Sequence, residues 1–200
     1  MTKRKSDLNL AFSTPIWTGL ILNHQELNNK MFKYIKDLQI QNPKGITKSN
    51  LFGWHSQDFD LKNEQPKYFI NSISANLNEA FKDMGWDIKN QEVKVTSMWS
   101  VINKKNASNT RHIHSNNYIS AAYYVKSPEN SGDIVFHDPR SVTTFRYPKI
   151  SERNTLNSNV FSIKPKEGLL VLFPSYLYHS VDLNRTEEER IVISFNINLL

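Results

Sequence analysis

The chain contains no cysteine, which excludes disulfides and thiolate metal sites together. A metal in this protein must therefore rest on His, Asp or Glu. No uninterrupted apolar run approaches the roughly 20 residues that span a bilayer. Basic residues Lys3-Arg4-Lys5 stand near the start, but Leu8 to Trp17 is broken by Asn9, Ser13, Thr14 and Pro15. Such a stretch does not read as the apolar heart of a secretory signal. A soluble, cytoplasmic protein is the expectation. Also missing is a basic stripe interleaved with aromatics. Lys and Arg number 25 against 19 Asp and Glu, a net charge of +6, and apart from Lys3–Lys5 and Lys104-Lys105 they are scattered. An excess of this size draws anions, yet without a stripe it argues for solubility more than for nucleic acid. No internal repeat is visible.

What is present is a globular composition, with 38% hydrophobic and 12% aromatic residues. The 200 residues fit one domain, 1–200, with enough length to bury a sizeable core. Residues 1–90 read as a helical support layer. From His24 to Gln41, Leu27, Met31, Tyr34, Ile35 and Leu38 fall on one helical stripe, with Asn23 as candidate cap and Asn42-Pro43-Lys44-Gly45 as terminator. A second helix over Pro66 to Met84 buries Phe69, Ile73, Leu77, Phe81 and Met84, with Gly85 just past its end. Between them, Lys48 to Asp60 is a polar, aromatic-bearing loop.

Residues 91–200 change to short apolar runs and period two. Strands are expected over Val93–Ile102, Tyr118–Lys126, Asp133–His137, Asn159–Ile163, Gly168–Phe173 and Arg190–Leu199. The fold class that follows is α+β, mainly β: a jelly roll, with the N-terminal helices packed on one sheet. Asp138 to Ser158 is the longest irregular stretch and a candidate lid or substrate loop.

Six histidines are present, four of them in the β half. His112 and His114 flank a single residue, and on an extended strand such a pair shares one face. His179 follows an apolar strand, Leu169-Leu-Val-Leu-Phe173, that breaks at Pro174. Arg190 opens the last strand. If the strand before His179 and the strand opened by Arg190 pair, the guanidinium sits beside the same cavity and offers a rigid fork for a carboxylate. Each residue alone has a plainer reading: a solvent-facing histidine, or a surface arginine paired with Glu187, Glu188 or Glu189.

Taken in order, His112-x-His114, the Tyr123-Tyr124-Val125 strand, Gly132-Asp-Ile-Val-Phe136 and Leu172-Phe-Pro-Ser-x-x-x-His179 with Arg190 downstream form a series. It resembles the 2-oxoglutarate/iron(II) oxygenase superfamily, and more narrowly the small 2OG-Fe(II) oxygenases of bacteria and tailed phages. Phe12-Ser-Thr-Pro-Ile-Trp17 and Gly53-Trp-His-Ser56 also resemble segments of that group, so the likeness covers nearly the whole chain. The resemblance implies a double-stranded β-helix and a dioxygenase using Fe(II), 2-oxoglutarate and O2. It would oxidise an unidentified substrate in a hydroxylase-type reaction while 2-oxoglutarate is decarboxylated to succinate. It also implies metal ligation by His112, His114 and His179, and cosubstrate binding by Arg190, Tyr124 and Asn196. Tyr124 shares its parity with Ser120 and Ala122, while Tyr123 packs the other way.

His114 stands where most relatives have Asp or Glu. The third metal position is therefore His114, water, or a carboxylate such as Asp138; a register using His114 and Asn116 is also open. Relatives often carry Ser two residues after the Arg, where this chain has Val192. Lys48 to Asp60, Arg111, Arg140 and Arg146 could line an entrance suited to an anionic or peptidic substrate, small molecule or peptide. The competing readings are a cupin-like protein that binds a metal or small ligand without redox chemistry, and a nucleic-acid-binding domain. Monomer and homodimer are equally compatible with the sequence.

Overall fold

The computed structural model describes residues 6–141 and 148–200. Arg146 and part of the irregular stretch after Asp138 lie outside the described residues. The elements run β1 (Trp17–Leu20), α1 (His24–Gln41), β2 (Asn50–Leu51), β3 (Trp54–His55), α2 (Glu64–Asp83), β4 (Val93–Asn103), β5 (Ser108–His112), β6 (Ile119–Lys126), β7 (Ile134–His137), β8 (Val160–Ile163), β9 (Leu169–Pro174), β10 (His179–Val181) and β11 (Arg190–Leu199). They form two antiparallel sheets facing each other. The major sheet has the order β1-β9-β6-β11-β4-β3 and the minor sheet β2-β5-β10-β7-β8. This pair of sheets, with α1 and α2 packed on the major one, makes the double-stranded β-helix that the resemblance implies. No helix among the described residues is long and apolar enough to cross a membrane.

Alternation along the strands builds two separate cores. Odd-numbered residues of β6 and β11 (Ala121, Tyr123, Val125; Ile191, Ile193, Phe195) turn to the helices, where Leu27, Met31 and Ile35 of α1 and Phe69, Ile73 and Phe81 of α2 meet them. Phe69 lies edge-on to Tyr123 at 5.2 Å and to Phe195 at 5.8 Å, and the Tyr123 hydroxyl donates to Asn28 Oδ1 at 2.6 Å. The even-numbered residues Ala122, Tyr124 and Val192, with Val171 and Phe173 of β9, pack between the sheets with Ile134, Phe136 and Leu177. The period-two rule therefore assigns one face of each central strand to support and the other to the space between the sheets.

Both helices fall where their apolar stripes put them, with local corrections. Asn23 does hold the cap position of α1, but in the left-handed region (φ 55°) and with no side-chain cap bond. Helix α2 starts at Glu64, two residues earlier than Pro66, since Pro is tolerated anywhere in a first turn whose N–H groups lack partners. Its C-terminus closes as a Schellman turn: Trp86 N–H donates to Phe81 O at 3.1 Å and Gly85 N–H to Lys82 O at 3.0 Å. Gly85 takes φ +65°, and Trp86 stacks on Phe81. Met84, expected on the buried face, is 38% exposed because it stands at this cap.

Five strands have no counterpart among those expected: β1, β2, β3, β5 and β10. All are short, and β5 (Ser-Asn-Thr-Arg-His) has no apolar alternation. Its inward residues Asn109 and His112 face a cavity, so the hydrophobic signal that marks a strand is absent by construction.

Candidate metal centre

A cavity of about 840 Å³ opens between the sheets. The three histidines meet in its wall, by three different devices. His112 is the last residue of β5, and the antiparallel register of β5 with β10 sets it directly opposite His179. His179 reaches that position because β9 stops at Pro174 and a tight turn follows, with Leu177 N–H donating to Pro174 O at 2.9 Å and the Leu177 side chain buried between the sheets. His114 lies beyond the end of β5. It is not placed by strand parity, as the His-x-His spacing suggested; its backbone N–H is tied to Ser175 O at 3.1 Å.

The ring centroids lie 4.2 Å (His112–His179), 5.0 Å (His114–His179) and 5.2 Å (His112–His114) apart. Their candidate ligand atoms all fall within 4.8 Å of one another, which makes a group able to hold a metal ion. In each ring Nδ1 is already engaged. It pairs with Thr110 O at 2.7 Å in His112, Leu177 O at 3.1 Å in His179 and Asn196 Oδ1 at 2.7 Å in His114. A carbonyl oxygen can only accept, so Nδ1 carries the proton and Nε2 keeps the lone pair a metal needs. Burial pushes the His114 imidazolium down to about 4 and His179 to about 3, and lowers His112 too. Burial thus favours the neutral form in all three, the protonation state required for ligation.

Arg190 lines the same cavity. The strand before His179, β9, and the strand opened by Arg190, β11, do not pair as considered from sequence: both belong to the major sheet, but β6 lies between them, and His179 itself stands on β10 in the minor sheet. The two residues meet across the gap between the sheets. Even-numbered residues of β11 (Arg190, Val192, Ser194, Asn196) all face that gap. Arg190 is 1% exposed. Its Nη1 donates to Ser131 O at 2.8 Å and Gly132 O at 2.9 Å, while Nε has no partner. The neighbouring glutamates do not neutralise it: Glu187 pairs with Lys105, Glu188 with Lys126 and Glu189 with Lys36. Burial lowers its pKa, while Tyr124, Asp182 and Asp133 oppose that shift. A buried guanidinium with no carboxylate in salt-bridge contact among the described residues is costly.

Tyr124 stands on the same cavity wall, 2% exposed, with its phenol pushed up to about 12 by burial. Asn196 also lines the cavity, and its amide oxygen is held by His114. Asp138, the carboxylate considered for the third position, does not join the triad. Arg140 clamps it through Nε at 3.0 Å and Nη2 at 2.7 Å, and it lines a different cavity beside residues 153–161. Asn116 is a left-handed turn residue (φ 63°) whose carbonyl accepts from Asn198 Nδ2. Of the residues expected at an entrance, Lys48 lines the main cavity, whereas Arg111 stacks over Tyr178 at 4.6 Å and Arg140 serves Asp138. His55 was missed. It is 7% exposed, stacks on Trp99 at 5.7 Å, and Trp99 in turn meets His114 edge-on at 5.3 Å. Its one sequence signal is the Trp-His-Ser segment, which gives no direction toward the metal residues.

Residues 97–196, half of the chain, match the profile of the family described as "Putative 2OG-Fe(II) oxygenase". The chain belongs to this family. As a member of the 2OG-Fe(II) oxygenase family it carries a cluster of three histidines able to hold a metal ion. Its fold is similar to that of a prolyl-4-hydroxylase from Pseudomonas putida, at TM-score 0.65 and 12% identity over 93% of each chain. A viral collagen prolyl hydroxylase from Paramecium Bursaria Chlorella virus-1 is similar at TM-score 0.59 and 13% identity, over 91% of this chain and 94% of the other. HygX from Streptomyces hygroscopicus, solved with nickel and 2-oxoglutarate bound, is similar at TM-score 0.63 and 11% identity, over 92% and 83%. At such identities the likeness is one of fold alone. The comparison with curated proteins gives no match.

Proposed function

We propose that this family member is an Fe(II)- and 2-oxoglutarate-dependent dioxygenase that performs a hydroxylase-type oxidation on a substrate still to be identified. The supporting observation is the sharing of one cavity by two features of opposite demand. Three neutral imidazoles ask for a cation, and a buried guanidinium with an orphaned Nε asks for an anion. 2-Oxoglutarate is a chelating keto acid at one end and a carboxylate at the other, so a single molecule satisfies both.

The residues present fit such a pair. His112, His114 and His179 would hold Fe(II) through Nε2, leaving coordination positions open for the cosubstrate. Bound iron with 2-oxoglutarate and O2 supplies the oxidising chemistry, in which the keto acid leaves as succinate and CO2 and one oxygen atom enters a substrate C–H bond. Arg190 would take the distal carboxylate in a fixed fork, held in aim by the carbonyls of Ser131 and Gly132. Tyr124, kept protonated by burial, would donate a further hydrogen bond there. Val192, Val171, Ala122 and Phe173 keep the space between the sheets apolar and exclude water from the reacting centre. Substrate would enter past Lys48, Gln57 and Trp99, which line the cavity.

Anaerobic addition of Fe(II) and 2-oxoglutarate should produce a weak visible metal-to-ligand absorption band. His179→Ala should abolish the band by removing the metal. Arg190→Ala should leave iron bound but weaken the cosubstrate by about 2–5 kcal/mol, at least ~30-fold, the loss typical of a severed buried charge pair. Iron binding with indifference to 2-oxoglutarate would instead favour a cupin-like protein without redox chemistry, which has no use for Arg190.

A further inference from the structure

The three imidazoles are not held alike. Nδ1 of His112 and of His179 bonds a carbonyl two residues back in its own segment, Thr110 O and Leu177 O. Those two rings are therefore placed by local backbone and by the β5–β10 register. His114 lies outside the ladder, and its Nδ1 partner is the side chain of Asn196, 82 residues away on the other sheet.

Asn196 is itself fixed. Its Oδ1 also accepts from Ser120 Oγ at 2.8 Å, and its Nδ2 donates to Ser97 Oγ at 2.9 Å. Those two bonds set which end of the amide faces His114. Ser120 Oγ continues to Ser175 Oγ at 2.7 Å, and Ser175 O receives the His114 backbone N–H. Ser120 and Ser175 are fully buried and Asn196 is 6% exposed. The network thus grips the ring and the backbone of one residue at once.

We propose that Asn196 is the positioning residue for the third metal ligand: it fixes His114 as the Nδ1–H tautomer and aims Nε2 into the triad. This rests on the reading of the triad as the metal site. An amide oxygen gives direction without charge, and a carboxylate of the same reach could take its place, whereas an apolar side chain could not.

The test is titration of the metal-free protein with Co(II), following both affinity and the cobalt absorption spectrum, which reports the ligand set. Asn196→Ala and Asn196→Leu should weaken cobalt binding about 10–100-fold and alter the spectrum, the usual range for losing such a support. Asn196→Asp should restore both. In a His114→Ala background, Asn196→Ala should cost nothing further, because the pathway it acts through is gone. A merely structural role would lower the melting temperature and leave spectrum and affinity alone. Wild-type cobalt binding in both the Ala and Leu variants, or equal losses in the two backgrounds, overturns the proposal. Should neither variant fold, Ser97→Ala, which frees the amide to turn over, must weaken cobalt binding several-fold or the proposal fails. Wild-type protein that takes up no cobalt refutes instead the metal-site reading beneath it.

Discussion

Each imidazole of the triad rests on a neutral acceptor, two backbone carbonyls and one amide. The donor set thus brings no negative charge to a divalent cation, and among the described residues the one buried cation on the same wall is Arg190. A dicarboxylate between them offsets both. At this scale Tyr124 gives a sharp expectation. Its phenol is held up at about 12 by burial, so it stays protonated and able to donate throughout ordinary buffers. Tyr124→Phe should weaken 2-oxoglutarate about 5-fold, the worth of roughly 1 kcal/mol for one hydrogen bond. That loss should stay constant from about pH 6 to 9, well below the raised pKa; calorimetric titration across that range checks it, and a loss that vanishes toward the alkaline end would contradict it. Single residues were also where the sequence was least legible. The His-x-His spacing found the right two side chains for an incomplete reason, since β5 ends at His112 and His114 is reached through Ser175 and Asn196. A contact between residues 82 positions apart leaves no local trace.

At the scale of elements, the site depends on short strands and the turns that end them. Gly132 is an example. It holds φ +93°, an added Cβ would collide with the Asp182 carbonyl oxygen, and its own carbonyl receives Arg190 Nη1. Gly132→Ala should shift this turn and weaken 2-oxoglutarate binding, while Co(II) affinity in the absence of cosubstrate stays within about 2-fold, since the triad lies on other elements. Parallel titrations of metal and cosubstrate decide the matter. Legibility follows the same division. Strands β4, β6, β9 and β11 showed themselves because the major sheet is buried against helices on one side and the inter-sheet core on the other. Strands β5 and β10 did not, because a cavity wall selects Asn, His and Ser where a core would select Val and Ile. The pairing supposed between β9 and β11 failed because β6 lies between them in the same sheet, while His179 crosses to the facing sheet on β10; adjacency in sequence does not show either.

Over the whole molecule, support and chemistry occupy opposite faces of the major sheet. The helices stiffen one face through Phe69 and its aromatic neighbours, and the other faces the cavity. Phe69→Ala should destabilise the fold by about 3–5 kcal/mol, as aromatic truncations in close-packed cores do, as read from denaturant unfolding. Metal affinity of the folded fraction should remain at the wild-type value. Both helices were readable from sequence, within a few residues of their stripes, but the division near residue 90 is incomplete: β1 and β3 join the major sheet and β2 the minor sheet from the N-terminal part.

The triad and the guanidinium are proposed to serve one metal-chelated dicarboxylate, and thermodynamic linkage between the two ligands is the decisive test. The affinity for 2-oxoglutarate is to be measured by calorimetry with and without Co(II), in wild type and in His179→Ala. Strong, reciprocal coupling is expected in the wild type, tighter cosubstrate with metal and tighter metal with cosubstrate, and its loss in the variant. Equal affinity for 2-oxoglutarate whether or not the metal is bound would contradict it.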